Sequence, residues 1–280
     1  MSKTGVFYHP SFSQRSYLTI GVRLSEFPDA FSQINCPDVI FYESKKVDEK
    51  LLLKVHSREM INMVKEHALC STAWHSAGGV VEAAEKIWTG EIKNAFVYIG
   101  AGGHHASRDY FWGYCCFNDV VLAIVNLREK FGVKKFAILD TDAHHGDGTR
   151  ELLQHDKNVL HVCLCGITKV SWDGTKVDVG VEWGITNERY IDLVKREFVP
   201  RVEKFKPEFI FWYFGHDTHI GDYGEIGLTV ECYLEIAEVV KKIAERICEG
   251  KLEVVLGGGS RTDIATISSL GIIKKLADIA

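Results

Sequence analysis

Twelve of the 280 residues are histidine, and six of them fall in three short segments, two of which also carry aspartate. The segments read Gly102-Gly-His104-His105-Ala, Asp140-Thr-Asp142-Ala-His144-His145-Gly-Asp147-Gly and Gly215-His216-Asp217-Thr-His219-Ile-Gly-Asp222. Side chains two apart in an extended segment share a face, so Asp142 and His144 can address one ion. Asp140 lies on the same side as a supporting carboxylate, and Asp217 is the candidate third ligand from another strand. Two carboxylates and one imidazole leave zinc with open positions, the arrangement of a catalytic rather than a structural site. Such an ion lowers the pKa of bound water toward ~7 and polarises a carbonyl. His104 and His105 can then serve as acid and base near neutral pH. Asp140 and Asp147 are the partners that would fix their tautomers. A turn or a solvated loop explains any one segment, but not the gathering of imidazoles and carboxylates at several strand ends. His56, His67, His75, His155 and His161 lie outside these segments and are read as ordinary hydrogen-bonded histidines.

Short apolar runs rich in β-branched and aromatic residues predict strands at Gly5–Tyr8, Val39–Phe41, Ala95–Ile99, Phe136–Leu139, Val159–Leu164, Phe209–Phe214 and Glu253–Leu256. Helical spacing predicts helices over Arg58–Ala68, Ser76–Trp88, Asn118–Phe131, Asn187–Phe205, Val230–Glu249 and Thr262–Ala277. Alternating strands and helices imply a mainly parallel sheet covered on both faces, an α/β fold of three layers, α/β/α. Ligands of such sheets bind outside the carboxyl ends of the strands. The histidine segments follow the third, fourth and sixth predicted strands, and Gly257-Gly-Gly-Ser260 follows the last.

The chain carries 33 Lys+Arg against 38 Asp+Glu, a formal net charge of −5, which argues against a sequence-independent nucleic-acid binder. The apolar runs Val120–Val125 and Phe209–Phe214 fall far short of the ~20 residues of a membrane span, and no apolar signal segment opens the chain. Without a linker or repeat, residues 1–280 are expected to form a single domain. The eight cysteines show no C-x-x-C spacing, and Cys115-Cys116 and Cys163-x-Cys165 are poorly placed to bridge internally. They read as reduced, apolar-packed thiols in a cytoplasmic protein.

At these residues the sequence resembles the histone deacetylase and acetylpolyamine amidohydrolase family, whose fold is arginase-like. The resemblance runs from the helix around Leu51–His67 and Gly78-Gly-Val-Val-Glu-Ala-Ala to the glycines at 257–259. Its most specific parts are the three segments above and Gly113-Tyr114-Cys115-Cys-Phe-Asn118-Asp. It implies zinc, with ferrous iron as the alternative, on Asp142, His144 and Asp217, and tandem histidines His104 and His105 paired with Asp140 and Asp147. It implies an acyl-lysine tunnel at Gly113 and Tyr114, with Trp172 as the opposite wall. A potassium ion held by Asp140, Asp142 and backbone near Cys163 and Leu164 is implied as well. One position departs from the pattern: the family's carbonyl-binding Tyr after the last glycines is Ser260. The expectation is that Ser260 donates through a bridging water, with Arg261 or Tyr223 as alternative donors. His216, where the family has a small or apolar residue, is a second departure.

The function so implied is zinc-dependent hydrolysis of an N-acyl amide, on acetyl-lysine or a small N-acylated amine, with neither nucleic acid nor membrane as partner. A two-metal arginase-like hydrolase and a metal-containing acyl-ligand binder that no longer catalyses are the alternatives.

Overall fold

In the computed structural model, which describes residues 3–14 and 22–279, nine strands form one sheet. They are β1 (Thr4–Tyr8), β2 (Val39–Glu43), β3 (Asn94–Val97), β4 (Phe136–Asp140), β5 (Val159–Cys165), β6 (Lys169–Val170), β7 (Lys176–Gly180), β8 (Phe209–Phe214) and β9 (Leu252–Leu256). Their order is β2-β1-β3-β9-β8-β4-β5-β7-β6, and every pairing is parallel except β6 with β7. The helices are α1 (Glu49–Val55), α2 (Arg58–Glu66), α3 (Ala73–Trp88), α4 (Asp119–Phe131), α5 (Asp147–Leu153), α6 (Asn187–Glu197), α7 (Val199–Phe205), α8 (Val230–Cys248) and α9 (Thr262–Leu276).

Strands β1, β3, β4, β5, β8 and β9 are buried along their whole length because both faces of the sheet are covered there. Ala95, Val97, Phe136, Ile138, Phe209 and Phe211 pack with Leu52, Ile61, Ala84, Leu122 and Leu153 of α1 to α5. Their neighbours Phe96, Ala137, Leu139, Ile210, Trp212 and Phe214 pack with Val194, Val202, Val240 and Ile273 of α6 to α9. This is the three-layer arrangement expected of continuous apolar strands. No described helix is long and apolar enough to cross a membrane.

Two strands and two helices escaped the sequence pattern. In β7, Lys176 and Asp178 are buried, which hides any apolar run; Lys176 Nζ donates to the carbonyls of Asp156 and Val159, and Arg150 binds Asp178. The two-residue β6 is too short to carry a pattern, and the seven-residue α1 and α5 fall below the usual helix length. The single helix expected over Asn187–Phe205 is two, α6 and α7, because Pro200 cannot donate back to the preceding turn.

The cysteine expectation is corrected: Cys70 and Cys116 form a disulfide, with their Cα atoms 6.1 Å apart and their positions 46 apart in sequence. Only the packing of the short 3-10 turn Ala68–Cys70 against the segment entering α4 brings them together. The remaining six cysteines are free, but cysteine usage no longer argues for a reducing compartment.

Candidate active site

The central strands β3, β9, β8 and β4 are consecutive in the sheet, so the segments that follow them meet at one rim. Asp142 directs Oδ1 at the N–H of His144 (3.0 Å) and Oδ2 at the N–H of Gly258 (2.7 Å). Asp217 Oδ1 accepts from the N–H of Ala143 at 3.2 Å. His144 Nδ1 lies 3.1 Å from Asp142 Oδ1 and 2.9 Å from Asp217 Oδ2. Both carboxylates are buried, whereas His144 is 44 % exposed. Burial and the facing Asp142 push the Asp217 carboxyl up to about 7. Hydrogen bonds to the two carboxylates raise His144 to about 10.

These are groups that could hold a cation. Asp217 Oδ2 is buried without a properly directed hydrogen bond, and a second carboxylate shares the same point. Two buried like charges need a compensating cation. One ligand atom from each of Asp142, His144 and Asp217 falls within 4.8 Å of the other two, so the three residues fit a single ion of the kind zinc is.

His104 Nδ1 is 2.8 Å from Asp140 Oδ2, and His105 Nδ1 is 2.6 Å from Asp147 Oδ1. Burial opposes charge on His104, but Asp140 and Asp142 outweigh it and lift its pKa to about 9. His105 moves the other way, lowered by burial and by the charge on His104. The adjacent rings therefore stand as one cationic and one neutral imidazole, 4.2 Å between centroids.

The histidine loop is held from beneath. His56, fully buried, donates from Nδ1 to the Ser107 carbonyl (2.7 Å) and accepts at Nε2 from the N–H of Asn118 (3.1 Å). Asn118 caps α4 and donates to the Ala106 carbonyl, and the Thr149 N–H donates to the His104 carbonyl. Burial, offset in part by the Ser107 bond, pulls His56 down to about 4. The unfolded chain therefore takes up this proton near pH 6.5, while the native state resists it until near pH 4. Stability is intact above pH 6.5 and falls on acidification through that window, by at most about 3 kcal/mol from this group. Urea denaturation at a series of pH values is expected to show that fall, and His56→Gln is expected to flatten it. An equal slope in the variant would assign the acid sensitivity elsewhere.

Asp142, His144, His104 and His105 line a cavity of about 200 Å³. Its walls are Trp112, Gly113, Tyr114, Tyr213 and Tyr223. Gly113 has φ +57°, and a Cβ there would stand 2.4 Å from the His105 ring, so the turn presenting Tyr114 requires glycine. Gly258 backs the cation site: a Cβ would come within 2.5 Å of Asp142 Oδ2 and 2.9 Å of both Asp217 Oδ2 and the Tyr223 hydroxyl.

Two expectations are corrected. Trp172 is 87 % exposed, with Lys157 over its ring, and does not reach the cavity. The aromatic wall beside His105 is Trp112 instead, whose ring lies 4.2 Å from that of His105 and whose Nε1 donates to Asp147. Ser260 also stays out of the cavity: its hydroxyl donates to Asp222 Oδ1 (2.7 Å) and its N–H donates to the same carboxylate. Its single proton is spent there. Arg261 is turned to Asp263. Of the three candidate donors, Tyr223 alone faces the cavity.

Sequence reasoning missed three residues here. Tyr213 stacks on His104, with ring centroids 4.6 Å apart, and its place at the end of an apolar strand concealed it. Trp112 was overlooked although it adjoins Gly113. Arg23, fully buried, donates to the carbonyls of Ile99, Gly257 and Gly259 and so ties the segments after β3 and β9 together. No local pattern marks it. His216 packs under Gly259, where both its ring nitrogens lack a hydrogen bond, and burial and Arg23 lower its pKa to about 3. It is a neutral support rather than a ligand.

Fold and rim together describe a three-layer α/β/α framework with a histidine–aspartate pocket that could hold a cation. Residues 18–276 match the model of the histone deacetylase domain family, and the chain belongs to it. The chain is 30 % identical over 270 residues to a probable deacetylase of Archaeoglobus fulgidus, covering 85 % of this chain and 74 % of that one. It is 28 % identical to the histone deacetylase-like amidohydrolase of Pseudomonas aeruginosa (73 % and 57 % covered), and 29 % identical to histone deacetylase 5 of Arabidopsis thaliana (84 % and 42 %). The chain thus spans less than half of the plant relative. The crystal structure of the HDA15 HD domain shares the fold, with a TM-score of 0.86 over 100 % of this chain and 89 % of that one at 24 % identity.

Proposed function

We propose that the chain is a zinc-dependent amidohydrolase that removes an acetyl or similarly small acyl group from an amine. The observation that carries this reading is the convergence of Asp142, Asp217 and His144 Nδ1 beside the His104–His105 pair in one aromatic-walled cavity. When bound to Asp142, His144 and Asp217, zinc polarises the acyl carbonyl and acidifies the attacking water.

The chain's own groups do the rest. Neutral His105, oriented by Asp147, takes a proton from water as it attacks and returns it to the leaving amine as the C–N bond breaks. His104, cationic between Asp140 and Asp142, favours the negative charge that develops on the substrate. The Tyr223 hydroxyl accepts the Gly259 N–H at 3.0 Å, which leaves its proton to donate to the carbonyl oxygen. Burial and the nearby Asp217 and Asp142 raise its pKa, so it remains a donor. Trp112 and Tyr114 flank the opening, where the apolar stem of a lysine or polyamine would lie.

The test is turnover of an acetyl-lysine peptide, an acetylated polyamine and a long-chain acyl-lysine peptide by the zinc-loaded full chain. Hydrolysis of an acetylated amine, lost on chelation and restored by zinc, is the expected result. Binding of the acetylated amines without hydrolysis of any would replace this reading by an acyl-ligand binder.

A further inference from the structure

We propose that His145, Cys163, Cys165 and Asp178 form a second metal site, for zinc or another thiophilic divalent ion, separate from the site at Asp142, His144 and Asp217. Cys163 and Cys165 are two apart in β5 and share a face of the sheet. The parallel register pairs Cys163 with Asp178 of β7, which sets the carboxylate beside the thiols. His145 reaches over from the segment after β4, the strand on the other side of β5. Its Nδ1 is 3.4 Å from Asp178 Oδ1 and 3.6 Å from Cys165 Sγ. One ligand atom from each of the four residues lies within 4.8 Å of the others.

The donor chemistry selects the ion. Two sulfurs and an imidazole disfavour a hard cation and suit zinc, and four protein ligands close a tetrahedral shell, which marks a structural rather than a catalytic site. Two thiolates and a carboxylate around a divalent ion leave one net negative charge, and the Arg150 guanidinium bound to Asp178 neutralises it. Cys163, Cys165 and Asp178 are buried, while the His145 side chain is 26 % exposed and gives the ion a way in. Because His145 adjoins His144 in the chain, an ion here ties the segment that presents a catalytic ligand to β5 and β7. The alternative is a pair of inert buried thiols beside an ordinary Arg–Asp pair.

Cobalt(II) decides between them, because the set Asp142, His144 and Asp217 contains no sulfur. The full chain, stripped of metal and with free thiols reduced, is titrated with cobalt(II). A near-ultraviolet thiolate-to-cobalt charge-transfer band should grow to saturation by two equivalents per chain, one for each site, and be abolished by added zinc. The band should persist in Asp217→Asn and vanish in Cys163→Ser/Cys165→Ser. In His145→Ala, whose partly exposed side chain can be removed without opening the core, cobalt affinity should fall at least about tenfold. Absence of the band in the reduced wild type, or a band of unchanged affinity in His145→Ala, overturns the proposal. So does a band that survives in the double serine variant, since it would come from one of the other free cysteines, Cys36, Cys115, Cys232 or Cys248. None of these readouts depends on amide hydrolysis.

Discussion

Replacing Tyr223 by phenylalanine is expected to lower kcat by about 10²–10³-fold, the usual cost of losing one oxyanion donor, with KM changed little. The ring would stay in place, since it packs beside His144 with centroids 5.7 Å apart, and only the hydroxyl would go. Ser260→Ala is the matched comparison. It removes a hydrogen bond to Asp222 outside the cavity, so it should cost about 1 kcal/mol of stability and leave kcat near wild type. Steady-state kinetics on the substrate that turns over best, with thermal melts of both variants, separates the two residues. The opposite pattern, with Ser260→Ala the slow variant, would return the donor role to Ser260 and remove Tyr223 from the mechanism.

Asp217→Asn is expected to abolish hydrolysis, with a loss of at least about 10³-fold. An ion polarising the carbonyl stabilises the transition state by several kcal/mol, and each 1.4 kcal/mol is a factor of ten. The carboxamide keeps the shape of the side chain but removes one of two like charges facing each other in a buried space. The metal-free variant should therefore melt no lower than the metal-free wild type. Zinc should raise the melting temperature more in the wild type than in the variant, because only the wild type gains from binding at this site. Elemental analysis should show one bound ion fewer in the variant. Full hydrolytic activity in Asp217→Asn, or an unchanged metal content, would remove Asp217 from the ligand set.

The histidine-bearing segments were legible because the rule that exposes them is local. In Asp140-x-Asp142-x-His144 the spacing itself puts side chains on one face, and a parallel sheet delivers the ends of its strands to one rim. The pairings of His104 with Asp140 and His105 with Asp147 follow from that convergence, and in the structure both stand at hydrogen-bond distance. Six of the seven apolar strands were legible for a related reason, since burial on two faces leaves a nearly unbroken run of apolar residues; the seventh, β2, lies half-exposed at the sheet edge.

The residues that escaped are those whose side-chain direction depends on contacts remote in sequence. Ser260 and Tyr223 are 37 positions apart, and nothing near either says which hydroxyl enters the cavity. That was decided by Asp222, which takes the Ser260 hydroxyl, and by Gly259, whose N–H meets Tyr223. Trp172 and Trp112 changed places for the same reason, and the Cys70–Cys116 bridge and the Arg23 clamp follow from packing alone. By itself the sequence determined the fold class and the residue types at the rim, because the backbone periods of strand and helix are local. Tertiary structure alone decided which hydroxyl, which indole and which sulfurs face inward, because a loop side chain is aimed by whichever distant partner satisfies its polar atoms.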